Sequence, residues 1–498
     1  MPGSLFVARK GASHDGTHFI KHAAREGAAA VLTTPDAADL VPHQIGLLTT
    51  HQQLLPAATA ALAEAFYNNP AQSLTITAIT GTNGKTTTAH FLHQILNSAG
   101  QRTGLIGTVS IDDGATTSFA DMTTPAASHI SHTLAAMRDN RCAHAVIEAS
   151  SHALHQSRLA AILPNAAAAI FTNLSGDHLD YHRTIDDYAA AKAILFESIP
   201  PSAAAILNHD DTQTKRMTVN CPAERIITTS PTHQNAPANI AAAAPPSIER
   251  PRDISITAPD PNGKPVNIKT STTLLGEHNL HNLLQATTAA LALGLKPESI
   301  RQAIPALNPP KGRLERITPP ANAPTPAPAV FIDFAHTDAA LAAALTALDH
   351  ARPTGSTLTV VFGAGGDRDR TKRPRMGRVA AEIAGRVVVT SDNPRSEPQS
   401  RIISDILEGI PTNHRQRAEV HADRAAAIAH AIHAAAPNDI VLIAGKGHER
   451  EQITADPNTG QYLRTHFSDH EHAARALASR TPQNTETHHP TEPQNATP

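Results

Sequence analysis

Lys85 and Thr86 follow Gly81 and Gly84 in the run ITGTNGKTT at positions 79–87, and residues of these types at this spacing are equipped to hold a phosphate. The glycines let the backbone approach an oxyanion with no Cβ in the way, the helix start beyond them turns N–H groups toward it, and the lysine adds a full positive charge. Thr86 would then hold a Mg²⁺ ion. The strict pattern G-x-x-x-x-G-K-[ST] requires glycine where this chain has Ile79, so GTNGKTT is a shorter form of that loop. The competing reading is a plain glycine-rich turn from strand to helix. A Lys-Thr pair at the helix start, after an apolar run, disfavours it.

Further reactive groups sit where other apolar runs end. Glu148 follows AVI, Asp177 and His178 follow AIFTNLSG, and a helix predicted over 185–196 carries Lys192 among the apolar residues of AAAKAILF. Such neighbours favour a neutral amine, the form that reacts with CO₂. Taken singly, Glu148 reads equally as a helix-capping acid, His178 as a solvated histidine and Lys192 as a surface lysine. Taken together with Arg-rich loops in the last third of the chain, they suggest nucleotide-driven joining of an anionic substrate to something else. A carboxylate attacking a phosphate must overcome repulsion that is about 1 kcal/mol at ~4 Å in water and several times larger in a drier site, so local cations decide whether attack occurs.

The elements that must position these groups follow from the patterning. The 498 residues suffice for about three domains. Charged residues are 17% and the formal net charge is −3, which argues against nucleic acid or an anionic membrane as partner. Cys142 and Cys221 make no disulfide framework, no apolar run reaches the length of a membrane span, and MPGSLFVARKG lacks a signal peptide's apolar core. A cytoplasmic protein is expected. The thirty histidines are scattered and read mostly as solvated surface residues.

Residues 1–70 alternate LFVA, AAVLTT and IGLLTT with helical stretches such as 52–66, the pattern of a small α/β domain closed by the turn at Asn68, Asn69 and Pro70. Residues 71–310 repeat strand then helix through LTITAIT, GLIGTVS, AHAVIEASS, AAAAIFTNL and AAAILN, which implies a mainly parallel sheet with ligands gathered at the strand ends. Pro231–Pro246 and Pro319–Ala329 read as surface insertions or linkers. Residues 311–480 give a third, Rossmann-like α/β pattern through AVFIDFAH, TLTVVFGAGG, RVVVTSDNPR and DIVLIAGKGHE, and 481–498 reads as a disordered tail.

Ten motifs in order, GTNGKTT (81–87), IEASSHAL (147–154), FTNLSGDHLDYH (171–182), AAKAILF (190–196), GEHNLHN (276–282), KGRLE (311–315), FIDFAHT (331–337), FGAGGDRDRTKRP (362–374), SDNPR (391–395) and AGKGHE (444–449), resemble those of the Mur ligases. The resemblance runs from Leu5 to about Leu477 and is nearest to the tripeptide-forming branch of the family. It implies three α/β domains for UDP-sugar, ATP and amino acid, and phosphorylation of the D-glutamate carboxylate of a UDP-muramoyl dipeptide by ATP. An amine then displaces phosphate from the acyl phosphate. A monomer is expected.

The resemblance also implies roles. Gly81, Thr82, Asn83, Gly84, Lys85, Thr86, Thr87, Asn279, Asn282, Arg313 and Asp333 would bind ATP, with Arg313 at the hinge into the third domain. Thr86, Glu148, His178 and a carbamylated Lys192 would hold Mg²⁺, and Lys85, Glu148, His178 and Lys192 would serve catalysis. Thr123, Thr124, Ser150, Gln156 and Arg158 would bind the UDP-sugar. Arg368, Asp392, Asn393, Pro394, Arg395, Gly445 and Glu449 would bind meso-diaminopimelate, Arg395 holding the distal carboxylate and Glu449 the distal ammonium. Without the resemblance the two asparagines read as turn residues.

The chain also departs from the family. It begins where the family's second strand would, the pattern G-H-Q-A-D-G reads GASHDG at Gly11–Gly16, Met122 stands before TTP where the family has Asn, and Asp338 follows AHT in place of proline. A shortened UDP-sugar domain, or a start lying upstream, is expected from this. Two other readings remain beside the ligase: a P-loop phosphotransferase or ATPase that does not ligate, and a catalytically weakened nucleotide-binding relative.

Overall fold

Strands β1 (Leu5–Val7), β2 (Ala30–Thr33) and β3 (Gly46–Thr49) form a parallel three-stranded sheet in the order β1-β2-β3, in a computed structural model that describes residues 2–11, 14–175, 179–456 and 459–480. The chain divides into two compact units, residues 1–245 with 250–310, and residues 246–249 with 311–498. The small sheet belongs to the first. LFVA does form an edge strand, beside β2, over a small core of Ala8, Ile20, Val31, Ala37 and Val41. Asn68 and Asn69 both take positive φ and turn the chain out of helix Leu55–Phe66.

The remainder of the first unit is built on an eleven-stranded sheet. Its strands are β4 (Thr75–Thr80), β5 (Thr103–Ile106), β6 (Ser110–Asp112), β7 (Thr117–Phe119), β8 (His144–Glu148), β9 (Ala166–Phe171), β10 (Ala204–Asn208), β11 (Arg225–Ser230), β12 (Ala238–Ala242), β13 (Arg252–Pro259) and β14 (Pro265–Thr272), in the order β14-β13-β12-β11-β10-β9-β4-β8-β5-β6-β7. The centre, from β12 to β5, is parallel; the two edges turn antiparallel. Central strands alternate between two cores, apart from a register shift where β4 meets β9 at Ile76 and Thr77. Ile76, Ala78, Ala145, Ile147, Ala169, Phe171, Ala205 and Leu207 face one, while Ile79, Val146, Ile170 and Ile206 face the other. Both faces are covered by helices, which is why these strands read as near-continuous apolar runs.

One expectation is corrected here. Pro231–Pro246 is no mere surface insertion: β12 lies inside it, with Ala238 and Ile240 buried between β11 and β13. A short Ala-rich segment becomes a strand because its neighbours supply both ladders, and local propensity is overridden. The hairpin of β13 and β14 extends the sheet beyond it.

The second unit carries a six-stranded sheet of β15 (Glu315–Arg316), β16 (Ala329–Asp333), β17 (Leu358–Phe362), β18 (Arg386–Val389), β19 (Ala418–Val420) and β20 (Ile440–Ala444), in the order β15-β16-β20-β17-β18-β19. Only β15 is antiparallel to its neighbour. A separate hairpin pairs β21 (Glu451–Ala455) with β22 (Tyr462–His466). Arg424, at the start of helix Arg424–Ala434, is fully buried against Asp469, with Nε–Oδ1 and Nη2–Oδ2 distances of 2.8 and 2.7 Å. The tail expected over 481–498 lies outside the described residues.

Candidate active site

β4 delivers the chain into the glycine loop, and the loop's conformation explains its sequence. Gly81 has φ of 146° and a Cβ there would lie 1.8 Å from Thr172 Oγ1; Gly84, the N-cap of helix Lys85–Ser98, has φ of 86° and a Cβ would meet Asn282 Oδ1 at 2.5 Å. No side chain fits at either position. Neighbouring strand ends brace the loop. Asn173 at the end of β9 accepts from Thr82 N (2.7 Å) through its carbonyl and from Asn83 N (3.0 Å) through its side chain, and Thr172 Oγ1 donates to Asn83 O at 2.6 Å. The Lys85 ammonium donates to the carbonyls of Gly81 and Thr82, each at 2.9 Å, so it is held within the turn. Thr86 and Thr87 are buried in the first helical turn.

The end of β8 meets this helix start. Glu148 is buried; its Oε2 accepts from Thr86 Oγ1 at 2.8 Å and Thr108 Oγ1 at 2.9 Å, and its Oε1 accepts from Thr108 N at 2.7 Å. A carboxylate and two hydroxyls, all hard oxygen donors within hydrogen-bond reach of one another, fit the ligand chemistry of Mg²⁺. The capping role that Glu148 alone could have had falls instead to Ser150, whose Oγ accepts from Ala153 N. His178 and Asp177 lie outside the described residues.

Lys192 is 1% exposed, not a surface lysine. Its Nζ donates to Gly81 O at 2.8 Å and sits 4.2 Å from the centre of the Tyr188 ring, whose hydroxyl accepts from Thr82 Oγ1 at 3.2 Å. Asn279 and Asn282 are not turn residues: both are buried in the first two turns of helix Glu277–Ala292. Asn282 Oδ1 accepts from Thr88 Oγ1 at 3.3 Å, behind Gly84, and Asn279 Nδ2 donates to Leu275 O at 2.8 Å.

Thr123, Thr124, Ser150, Gln156 and Arg158 form one connected chain beside Glu148. Thr108 Oγ1, its own proton given to Glu148, accepts from Thr123 Oγ1 (3.1 Å), and Thr124 Oγ1 donates to Glu148 O (2.6 Å) and accepts from Ser150 N (3.0 Å). Arg158 Nη1 donates to Thr124 O at 2.6 Å and Nη2 to Gln156 Oε1 at 2.8 Å, and Gln156 Nε2 donates to Tyr181 Oη at 3.2 Å.

In the second unit Asp333 ends β16 and accepts from Leu314 N (2.6 Å) and Ala335 N (2.7 Å). Burial pushes its carboxyl above the usual range, against the pull of Arg313 and these amides. Arg313 lies over the Phe334 ring at 4.5 Å. The DNPR loop after β18 meets the GKGHE loop after β20. Asn393 is the centre of this polar cluster: its Nδ2 donates to Glu449 Oε2 (2.9 Å), and its Oδ1 accepts from Lys446 Nζ (2.8 Å) and Ile453 N (3.0 Å). Gly445 has φ of 114°, and a Cβ there would lie 2.7 Å from Asp392 Oδ2. Burial and the neighbouring Asp392 raise the Glu449 carboxyl above its ordinary value, while burial lowers the Lys446 ammonium. Pro394 is buried. Arg395 is half-buried, its Nη1 donating to Gly366 O (2.8 Å) and Asn393 O (3.4 Å), and Arg368 is exposed on the loop beside Gly365. The DNPR turn thus holds Arg395 at the loop's rim.

Thr108, Asn173, Tyr188 and Lys446 were missed as site residues. All but Tyr188 follow a strand end within a few residues, which was the available signal.

The Mur ligase middle domain matches residues 79–290, and the Mur ligase glutamate ligase domain matches residues 312–447. The chain is 40% identical over 493 residues to the UDP-N-acetylmuramoyl-L-alanyl-D-glutamate–2,6-diaminopimelate ligase of Synechococcus elongatus, covering 96% of this chain and 92% of that protein. It is likewise 40% identical over 484 residues to the enzyme of that name from Chlorobium phaeobacteroides, covering 96% and 90%. A solved structure of a UDP-N-acetylmuramoyl-L-alanyl-D-glutamate–2,6-diaminopimelate ligase superimposes with a TM-score of 0.65 at 30% identity, over 96% of this chain and 92% of that one. MurF from Acinetobacter baumannii, at 20% identity and a TM-score of 0.61 over 89% and 87%, shares the fold. With a braced glycine loop and relatives matched across nearly their whole length, this chain belongs to the Mur ligase family.

Proposed function

We propose that the protein is an ATP-dependent ligase that joins meso-diaminopimelate to the D-glutamyl carboxylate of UDP-N-acetylmuramoyl-L-alanyl-D-glutamate in the cytoplasm, as a monomer, during peptidoglycan precursor synthesis. The observation that carries this is the junction of Lys85, Thr86 and Glu148 at the loop, together with relatives of that activity at 40% identity. The substrate carboxylate attacks the γ-phosphorus, a C–O–P linkage forms and the bond to ADP breaks. The amine then attacks the acyl carbon, and phosphate leaves with the former carboxylate oxygen.

Lys85 and the N–H groups at the helix start neutralise phosphate charge that grows as the two anions approach. Mg²⁺ held by Thr86 and Glu148, with His178, and a second Mg²⁺ held by a carbamate on Lys192, would supply further neutralisation of the phosphates. The carbamate forms when the neutral Lys192 amine adds to CO₂ and loses one proton; burial of the amine supports this assignment. Asn279, Asn282, Arg313 and Asp333 are assigned to the nucleotide, and Thr123, Thr124, Ser150, Gln156 and Arg158 to the UDP-sugar. On the second unit, Arg395 takes the distal carboxylate of diaminopimelate and Glu449, steadied by Asn393, its ammonium. Arg368, Asp392, Pro394 and Gly445 shape that pocket.

Replacing Lys85 by alanine tests the reading, since it removes the phosphate-facing cation and with it a few kcal/mol of transition-state stabilisation, a rate loss of roughly a hundredfold or more. Unchanged ADP release in Lys85→Ala would reject it.

A further inference from the structure

The edge strand β19 and helix Arg424–Ala434 bring together three side chains that none of the roles above uses. Among the described residues, Glu419, His421 and His430 are the one group of three or more His, Cys, Asp or Glu whose donor atoms all lie within 4.8 Å of one another. Glu419 Oε2 is 3.5 Å from His421 Nε2 and 2.6 Å from His430 Nε2. The two imidazoles stack with centroids 4.3 Å apart and planes 30° from parallel, so both Nε2 atoms turn toward the same carboxylate oxygen.

We propose that Glu419, His421 and His430 form a binding site for one Zn²⁺ ion. Two imidazole nitrogens and a carboxylate oxygen suit zinc and its late transition-metal neighbours, whereas Mg²⁺ and Ca²⁺ take oxygen donors. Donors bound at ~2.0–2.1 Å around a tetrahedral ion are separated by about 3.3–3.4 Å. The Glu419–His421 pair already has that spacing; the Glu419–His430 hydrogen bond must open by under about 1 Å, which side chains that are one-third exposed can accommodate.

The supports of these ligands are in place. Arg386 Nη2 donates to Glu419 Oε1 at 2.9 Å, fixing the carboxylate so that Oε2 faces the histidines. His421 N donates to Val389 O at 3.0 Å, and β19 pairs in parallel with β18. The Arg386 charge also withdraws electron density from the carboxylate, so the site is weaker than a closed four-ligand structural zinc site. Water completes the coordination, and the ion ties the edge strand of the sheet to helix Arg424–Ala434.

The test is titration of the full-length chain, freed of metal by chelation and dialysis, with ZnCl₂ in competition with a chromophoric chelator. The parent is compared with His421→Ala, His430→Gln and Glu419→Gln, each checked for native circular dichroism. The expected result is one more equivalent of Zn²⁺ bound by the parent than by each variant, or at least a tenfold loss of affinity at that equivalent. Co²⁺ in place of Zn²⁺ should give visible d–d bands in the parent that the variants lose. Zinc should raise the thermal midpoint of the parent by on the order of 2–4 °C and leave the variants unmoved. Equal stoichiometry and affinity in the parent and all three variants would overturn the proposal, whatever other histidines bind. Ligase activity without added zinc should be the same in parent and variants.

Discussion

Lys192 Nζ donates a 2.8 Å hydrogen bond to the carbonyl oxygen of Gly81, the residue that opens the phosphate loop. A buried amine from helix Ile185–Glu197 is thereby fixed to the glycine loop. On the proposed carbamate role, Lys192→Ala should lose roughly a hundredfold or more in rate, because that role makes Lys192 a charge-stabilising ligand in a water-poor site. Activity should return in part when a short carboxylic acid such as acetate is supplied, since the acid restores the missing oxygen ligand. Rate assays with and without the acid check this; full activity in the variant would make Lys192 a packing residue.

Gly81 makes a sharper test of the loop itself. Gly81→Ala drives a Cβ to 1.8 Å from Thr172 Oγ1 at a φ of 146°, whereas Gly100→Ala, at φ of 77°, meets nothing within 4 Å. The first should weaken ATP binding at least tenfold, about 1.4 kcal/mol, and the second should cost about 1–2 kcal/mol of stability while leaving ATP affinity unchanged. Calorimetric titration with a non-hydrolysable ATP analogue reads both.

The proposed role of Arg395, at the rim of the DNPR loop, makes amino-acid choice testable. Lysine lacks the distal carboxylate, yet Arg395 keeps partners in Gly366 O and Asn393 O, so the discrimination sits at the low end of the 2–5 kcal/mol span for mispaired charges, roughly thirtyfold in kcat/KM. Arg395→Ala should remove most of that preference for meso-diaminopimelate over L-lysine. Equal kcat/KM for the two amino acids in the parent would contradict the assignment of Arg395.

Acid sensitivity should originate partly at Glu397. The Arg373 guanidinium, bonded to both its oxygens at 2.8 and 3.1 Å, and the Asp367 N–H at 2.7 Å hold its carboxyl down at about 2. An unfolded glutamate protonates near 4.5. The folded state therefore binds that proton less readily than the unfolded state. Its stabilisation is complete above about pH 4.5 and is lost as pH falls toward about 2. Urea midpoints followed by circular dichroism between pH 7 and pH 3 should fall more steeply in the parent than in Glu397→Gln; parallel curves would exclude Glu397 as a source.

The parallel strands were legible because burial on both faces leaves near-continuous apolar runs, as in AAAAIF and AAIL, and the polar groups that follow them mark the strand ends. The glycine loop was legible for the same reason and because only glycine satisfies its two positions. β12 was not, since ANIAA buries little more than Ile240 and owes its conformation to strands distant in sequence. The helical setting of Asn279 and Asn282 was hidden by residue types that favour turns, and the helix near whose start they lie is buried almost all round, which leaves little amphipathic signal. The apolar neighbours of Lys192 hinted at its burial, whereas that of Arg373, Arg424 and Lys446 was not legible, because it depends on the partners Glu397, Asp469 and Asn393, which lie far from them in sequence.

The central claim is that ATP cleavage in this protein is coupled to amide formation. The most direct measurement follows ADP, phosphate and the UDP-muramoyl tripeptide together, by coupled assay and mass spectrometry, with each substrate omitted in turn. One ADP and one phosphate should form per tripeptide, with negligible turnover when either the UDP-muramoyl dipeptide or meso-diaminopimelate is absent. ADP release at the same rate without the dipeptide and the amino acid, and with no new amide, would contradict it.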